Sequence, residues 1–415
     1  VIGTLTAGCL VCGCNDLIPV LDLGVQSLTG LFPASLDEAV PEGPLRLVRC
    51  VGDCGLVQLR HVYPAHLLYG DGYGYRSGLN KAMIEHLRHV CSFAMSHVDT
   101  LQEPDIVLDI GSNDGTLLSF FAPGVTLVGV DPTIRKFGHY YPDHIEKIPD
   151  FFTEALWQRC FGSKKAKLVT SIAMFYDLVD PVGFARDVAD VLADDGIWVS
   201  EQSYMPAMMY QNSYDTVCHE HVEYYGLRQI AYIARCVGLR VIDVTRTNAN
   251  GGSFAVVMAH AASNYRTEPA VYELLREEES ITASTYSRFA SSVASHRDSL
   301  CSALSRSSAR GTRTFGYGAS TKGNVILQYC GLTSRELPYF AEVNEEKFGC
   351  FTPGSMIPII SEREAHAMRP DQFLVMPWHF RDSIIARERE FLRAGGNLLF
   401  PLPGVVQIGE KEVAA

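Results

Sequence analysis

The chain has 415 residues, 47% hydrophobic and 20% charged, with 35 Lys and Arg against 47 Asp and Glu for a formal charge of −12. These values exclude a largely disordered chain and a basic nucleic-acid-binding surface, and the length calls for two or three domains. No basic residue precedes Arg46, and no stretch reaches the ~18–20 uninterrupted apolar residues of a membrane helix, so the expectation is a cytoplasmic protein without a secretory leader or membrane contact.

In a reducing compartment twelve cysteines need a role other than disulfides. Five fall in the first 54 residues, as Cys9-x2-Cys12, Cys14 and Cys50-x3-Cys54. Two pairs at tight turns can present four thiolates tetrahedrally, so Cys9, Cys12, Cys50 and Cys54 are expected to hold one zinc, with Cys14 competing for the place of Cys12. Four sulfurs leave no open coordination position, which makes the metal structural. Next comes the Gly/Tyr-rich segment 69–78, a candidate lid carrying Tyr73 and Tyr75. A helix follows, with Met83, Ile84, Leu87, Val90 and Phe93 near helical spacing.

From residue 105 short apolar strands alternate with helical stretches: Ile106–Ile110, Thr126–Val130, Leu168–Ile172, Gly196–Ser200, Leu239–Val244 and Phe254–Ala259. The pattern predicts a parallel α/β sheet. The first strand runs into Gly111-Ser-Asn-Asp-Gly115, and the second ends on Asp131, twenty residues past Gly111. Glycine lets a ligand approach the backbone, and an acid at the next strand end can grip a ribose diol, as in sites for dinucleotides and for S-adenosylmethionine. A pyrophosphate needs G-x-G-x-x-G and would be repelled by Asp114. Asp109 and Asp114 suit a cationic sulfonium and an amino group instead, so Asp109, Gly111, Asn113, Asp114 and Asp131 are read as the methyl-donor site. Asp150 and Phe151, where a third strand would end, are candidates for adenine.

The densest reactive run is Asp215-Thr-Val-Cys-His219-Glu220-His221-Val-Glu-Tyr224-Tyr225. A His beside Glu is a usual general-base pair. His221 with Glu220, and His219, Tyr225 and Tyr75 around them, are the catalytic candidates. Residues 265–310 read as one long helix-like segment with an apolar face of Phe289, Val293, His296, Leu300 and Leu304. Strands then restart at Arg313–Tyr317, Leu337–Ala341, Phe373–Met376 and Asn397–Phe400, giving a second, smaller α/β unit. Its first turn, with Tyr317, Ser320 and Lys322, has the composition of a phosphate-gripping helix start.

Together these motifs resemble the S-adenosylmethionine-dependent sugar C-methyltransferases of antibiotic deoxysugar pathways. The resemblance rests on the order of the cysteine pairs, Gly55-Leu-Val-Gln-Leu59, Gly111–Gly115, Glu220-His221, Asn250-Gly-Gly252, Gly316–Lys322, Thr352-Pro-Gly354 and Trp378-His379. It implies an α/β protein with a small zinc-binding domain over 1–68 and a class I, Rossmann-like methyltransferase core over 69–262, which includes the lid and helix of 69–103. A helical connector over 263–310 and a Rossmann-like substrate domain over 311–415 follow. It further implies that His221 removes a proton at C3 of a nucleotide-linked 4-keto sugar, and that Tyr75 borders the site. Asn250 and His379 then join Tyr73, Tyr317, Ser320 and Lys322 as acceptor-binding candidates. The protein would be a monomer or homodimer with a small-molecule partner. Two positions depart from the family: Cys218 stands where a tyrosine is typical, and Asp177 where a histidine is. The spacing Cys50-x3-Cys54 is one residue longer than the commoner one. A sugar hydroxyl, or a carbon of a non-sugar natural product, is the alternative acceptor.

Overall fold

A computed structural model describes residues 1–68, 75–98, 100–122 and 124–410. The N-terminal part is built on an antiparallel sheet. Leu17–Ser27 pairs with Glu42–Cys50, which pairs with Val57–Leu59. The fourth strand, Glu223–Tyr224, comes from the middle of the chain and adds antiparallel to Val57–Leu59.

The central sheet has seven strands: β1 (Ile106–Ile110), β2 (Thr126–Val130), β3 (Glu146–Ile148), β4 (Ala166–Ile172), β5 (Leu192–Ser203), β6 (Leu239–Thr247) and β7 (Ser253–His260). Their spatial order is β6-β7-β5-β4-β1-β2-β3. All five residues of β1 are buried, as expected of a strand covered on both faces. One face packs against the helix Lys81–Met95 through Leu87, Val90 and Ala94. Strand order reverses between β1 and β4, so a crevice opens at their C-terminal ends, where α/β sheets bind ligands. The sheet is not wholly parallel. Strand β7 runs antiparallel to both β5 and β6. Its link from β6 is only residues 248–252, and a parallel return needs a crossover of about a dozen residues.

Residues 265–310 form two helices rather than one. Pro269–Glu278 ends before Thr282, which caps Ala283–Ala309 with Thr285 completing the capping box. The second helix buries Phe289, Val293, His296, Leu300 and Leu304, the face read from its spacing.

The last unit is a six-stranded sheet in the order 359–361, 340–342, 314–317, 372–375, 397–400, 406–408. All pairings are parallel except the last. Its apolar core is continuous with that of the N-terminal sheet and of residues 205–224. Among the described residues no helix is long and apolar enough to cross a membrane.

Candidate active site

The turn after β1 is built by its backbone. Gly111 has φ +74°, and a Cβ there would meet Met174 Cγ at 2.9 Å, so glycine alone fits. Asp131 accepts from the Asn113 N–H at 2.9 Å and from the Thr133 N–H at 2.7 Å. Asp109 is buried and accepts from the Thr170 hydroxyl at 2.7 Å. Burial pushes its pKa up to about 7; the Thr170 hydrogen bond opposes this and the nearby Asp131 charge adds to it. Two buried acids at one crevice favour a cationic ligand, and Asp131 retains lone pairs for a hydroxyl. Phe151 is exposed while Phe152 is buried edge-on against Phe184 at 5.8 Å, so of the two rings only Phe151 can stack on a base.

Asp114 has a different task from the one its sequence position suggests. Its oxygens accept from Gly78 N–H at 2.9 Å and the Thr116 hydroxyl at 2.6 Å, and Arg76 lies at 3.5 Å. Asn113 does the same work, accepting from Ser77 N–H at 3.0 Å and donating to the Tyr75 carbonyl at 3.2 Å. These bonds lock residues 75–78 over the turn and leave Tyr75 at its border, 51% exposed as a residue with its phenol turned inward. Tyr73 lies outside the described residues.

His221 sits on the loop entering Glu223–Tyr224. Its Nδ1 is 2.8 Å from the Thr216 carbonyl, which only an N–H can satisfy, so Nε2 carries the lone pair. The Tyr176 ring meets the imidazole edge-on at 4.5 Å. Burial first, and the Lys322 ammonium second, push the His221 pKa down to about 3. The imidazole therefore stays neutral until pH falls through about 3. Lys322→Met removes the repelling charge, so His221 should take up its proton at higher pH, though burial still holds it below the ordinary 6.5. The imidazole C–H resonances in an NMR titration would show this; an unmoved titration would mean that Lys322 does not act on His221.

Several sequence candidates fall elsewhere. The Thr216 carbonyl holds His221 Nδ1, and Glu220 bonds to the neighbouring N-terminal segment. The Thr29 hydroxyl donates to Glu220 at 3.5 Å, and a Cβ on Gly30 would collide with the carboxylate. His219 is wholly buried against the N-terminal sheet, its Nε2 on the Gly43 carbonyl at 3.2 Å and Tyr63 edge-on at 4.8 Å. Tyr225 is equally buried, stacked on Phe175 with its hydroxyl on Glu223. Tyr317 gives its hydroxyl to Glu388 at 2.8 Å inside the C-terminal unit. Ser320 caps the helix Thr321–Tyr329, accepting from Gly323 N–H at 3.0 Å. The glycines of that turn are filled by their own domain: a Cβ on Gly318 would meet Pro377 at 2.6 Å. Lys322 and His379 do come to the seam beside His221, and Lys322 donates to the Asn250 carbonyl at 3.0 Å.

The sequence reading missed the Thr216 carbonyl, which acts through backbone and carries no side-chain signal. It also missed Tyr176 and a His86–Glu201 pair at 2.6 Å. Strand register puts Glu201 on the same sheet face as Asp109. A carboxylate just past the apolar run Ile197–Val199 was the available signal.

The cysteine site follows expectation. The sulfurs of Cys9, Cys12, Cys50 and Cys54 lie within 4.8 Å of one another, with Cys9–Cys54 at 3.3 Å and Cys12–Cys50 at 3.5 Å. Tetrahedral zinc with ~2.3 Å bonds sets its sulfurs ~3.8 Å apart. Cys14 points away, to the Asp16 carbonyl at 4.0 Å, which settles the choice for Cys12.

Residues 9–69 match a zinc-binding domain family, residues 80–244 a methyltransferase domain, and residues 248–403 a C-methyltransferase C-terminal domain. The C-methyltransferase NovU of Streptomyces niveus is 33% identical over 402 residues, spanning 95% of each chain. The chain belongs to the C-methyltransferase family. It is an S-adenosylmethionine-dependent C-methyltransferase with a structural zinc site. Solved structures also resemble part of this C-methyltransferase. The mitomycin 7-O-methyltransferase MmcR matches 43% of this chain and 54% of its own, at 16% identity and TM-score 0.34. The CcbJ methyltransferase from Streptomyces caelestis matches 42% and 90%, at 14% and 0.33.

Proposed function

We propose that this enzyme C-methylates a nucleotide-linked keto-deoxysugar, with His221 as the base that forms the enolate. The observation that carries the proposal is His221 itself. It is neutral, fixed through Nδ1 on Thr216, and faces a polar seam between the core and the C-terminal sheet. The bound donor supplies an electrophilic methyl group on a positively charged sulfur. For that donor the chain offers Asp131 to a ribose diol, Asp109 to its positive charge, Gly111 for close approach, and Asp150 with Phe151 for the adenine. Asn113 and Asp114 hold residues 75–78 above it.

A ketone acidifies the adjacent C–H, and His221 Nε2 removes that proton while Nδ1–H stays on the Thr216 carbonyl, which stabilises the imidazolium. The Lys322 ammonium and the Tyr75 phenol are the donors for the enolate oxygen; buried Tyr225 is not. The relative from Streptomyces niveus supports carbon as the target, and a place in antibiotic deoxysugar biosynthesis is part of the same proposal. So is a cytoplasmic site, where the twelve cysteines, none of them in a disulfide, stay reduced.

The test is deuterium exchange. Wild-type enzyme incubated in D2O with a nucleoside-diphosphate-linked 4-keto-6-deoxyhexose, without donor, should exchange the proton beside the ketone. An enzyme that methylates an acceptor without such exchange acts on a hydroxyl or another carbon.

Asp131→Ala should weaken binding of the demethylated donor product by ~1–3 kcal/mol in calorimetry, the cost of one lost charged hydrogen bond. Unchanged affinity removes Asp131 from the donor site.

A further inference from the structure

The seam beside His221 contains two buried polar atoms without a hydrogen-bond partner, Oδ1 of Asp215 and Nδ1 of His379. Asp215 is 1% exposed. Its Oδ2 accepts the Trp378 indole N–H at 2.8 Å. The indole in turn lies against Gly251, where a Cβ would come within 3.1 Å of the ring, so the N–H is fixed in direction. The carboxylate is thus held from one side and unmatched on the other.

Lys322 lies in the same seam but donates to the Asn250 carbonyl. Burial raises the Asp215 pKa; the Lys322 charge, the Trp378 hydrogen bond and, more weakly, the nearby Asp215 and Thr216 backbone amides lower it. Buried polar groups are nearly always hydrogen-bonded, and an unmatched carboxylate oxygen costs free energy until a donor arrives. A carboxylate only accepts, so the missing group is a donor. The nearby ammonium makes a second cation unfavourable, and the neutral donors that a sugar offers are hydroxyls. An apolar aromatic acceptor would bury both orphaned atoms and satisfy neither.

We propose that Asp215 binds a hydroxyl of the acceptor sugar, its carboxylate aimed by Trp378, with His379 taking a second polar group. The inference rests on the keto-sugar reading above and adds a residue that selects among such sugars.

The test uses UDP- and dTDP-linked 4-keto-6-deoxyglucose with the full-length enzyme. Asp215→Asn keeps the shape and an oxygen for the indole but presents an NH2 group to the ligand. Its affinity for the sugar that wild type binds should fall at least tenfold, and KM should rise more than kcat falls. Affinity for the demethylated donor product should not change. Trp378→Phe keeps the ring on Gly251 without its N–H and should show a smaller loss of the same kind. His221→Asn should bind the sugar as wild type does and fail to exchange its proton, which separates binding from base chemistry. Wild-type affinity in Asp215→Asn, with wild type binding and exchanging normally, overturns the assignment and leaves the keto-sugar reading standing. Equal losses of sugar and donor-product binding in Asp215→Asn mean a structural role and also overturn it. If wild type binds neither sugar, the keto-sugar reading fails and the assignment falls with it.

Discussion

His221→Asn should lower turnover by about 10²–10⁴-fold, the usual contribution of a positioned general base, while binding of the donor product stays intact. Asparagine can still donate to the Thr216 carbonyl through its amide, so the loop that the 2.8 Å bond holds should persist. What it lacks is a lone pair on nitrogen at the Nε2 position. His219→Gln is the control two residues away. That imidazole is wholly buried under Tyr63, so its replacement should lower the melting temperature and change turnover far less. Steady-state methyl transfer with donor-product calorimetry reads both. If His221→Asn keeps near-normal turnover, the proton leaves by another route, and Tyr75 becomes the leading base.

Loss of the metal should have the second large effect. Elemental analysis should give about one zinc per chain. Zinc on cysteine-rich peptides contributes ~10–16 kcal/mol of binding, which is at once folding free energy. Here the site is also a hinge pin. Gln229 donates to the Cys54 carbonyl at 2.9 Å, and three residues after Cys54 the strand Val57–Leu59 begins. That strand carries Glu223–Tyr224, and Leu59 N–H donates to the Val222 carbonyl at 2.8 Å, next to His221. Cys54→Ser, or a strong chelator, should therefore unfold the N-terminal sheet and abolish methyl transfer. Binding of the donor product, more than one strand away at β1 and β2, should fall much less. A metal-free preparation that is fully folded and active would falsify the structural role of the site.

The parts of the site that were legible in the sequence are local ones. Gly111 and Asp131 follow from strand ends and a turn, and the four cysteines from two short spacings. Residues whose surroundings come from remote segments were not legible. Whether His219, His221, Tyr225 or Tyr317 faces a ligand depends on Tyr63, Phe175 and Glu388, and no spacing near a residue reports what will cover it. The composition of the 215–225 run located the chemistry but could not say that one imidazole points to the seam and the other into the core. Strand β7 differs in kind. Its antiparallel direction was implied by the five residues that separate it from β6, a length too short for a helix. The alternation of apolar runs, which carries no direction, outweighed it.

The pairing of Val57–Leu59 with Glu223–Tyr224 also bears on how the chain acquires its shape during synthesis. The ribosome delivers both cysteine turns and three strands of the first sheet early, yet the fourth strand of that sheet does not exist until residue 224 has been made. Through that interval Val57–Leu59 is an open edge, with unpaired N–H and C=O groups of the kind that recruit other chains. Early zinc capture would hold the neighbouring strands in register while the edge waits. For the same reason the first sheet is not a detachable module: grafting residues 1–68 onto another core would carry the metal along and leave behind the strand that completes the sheet.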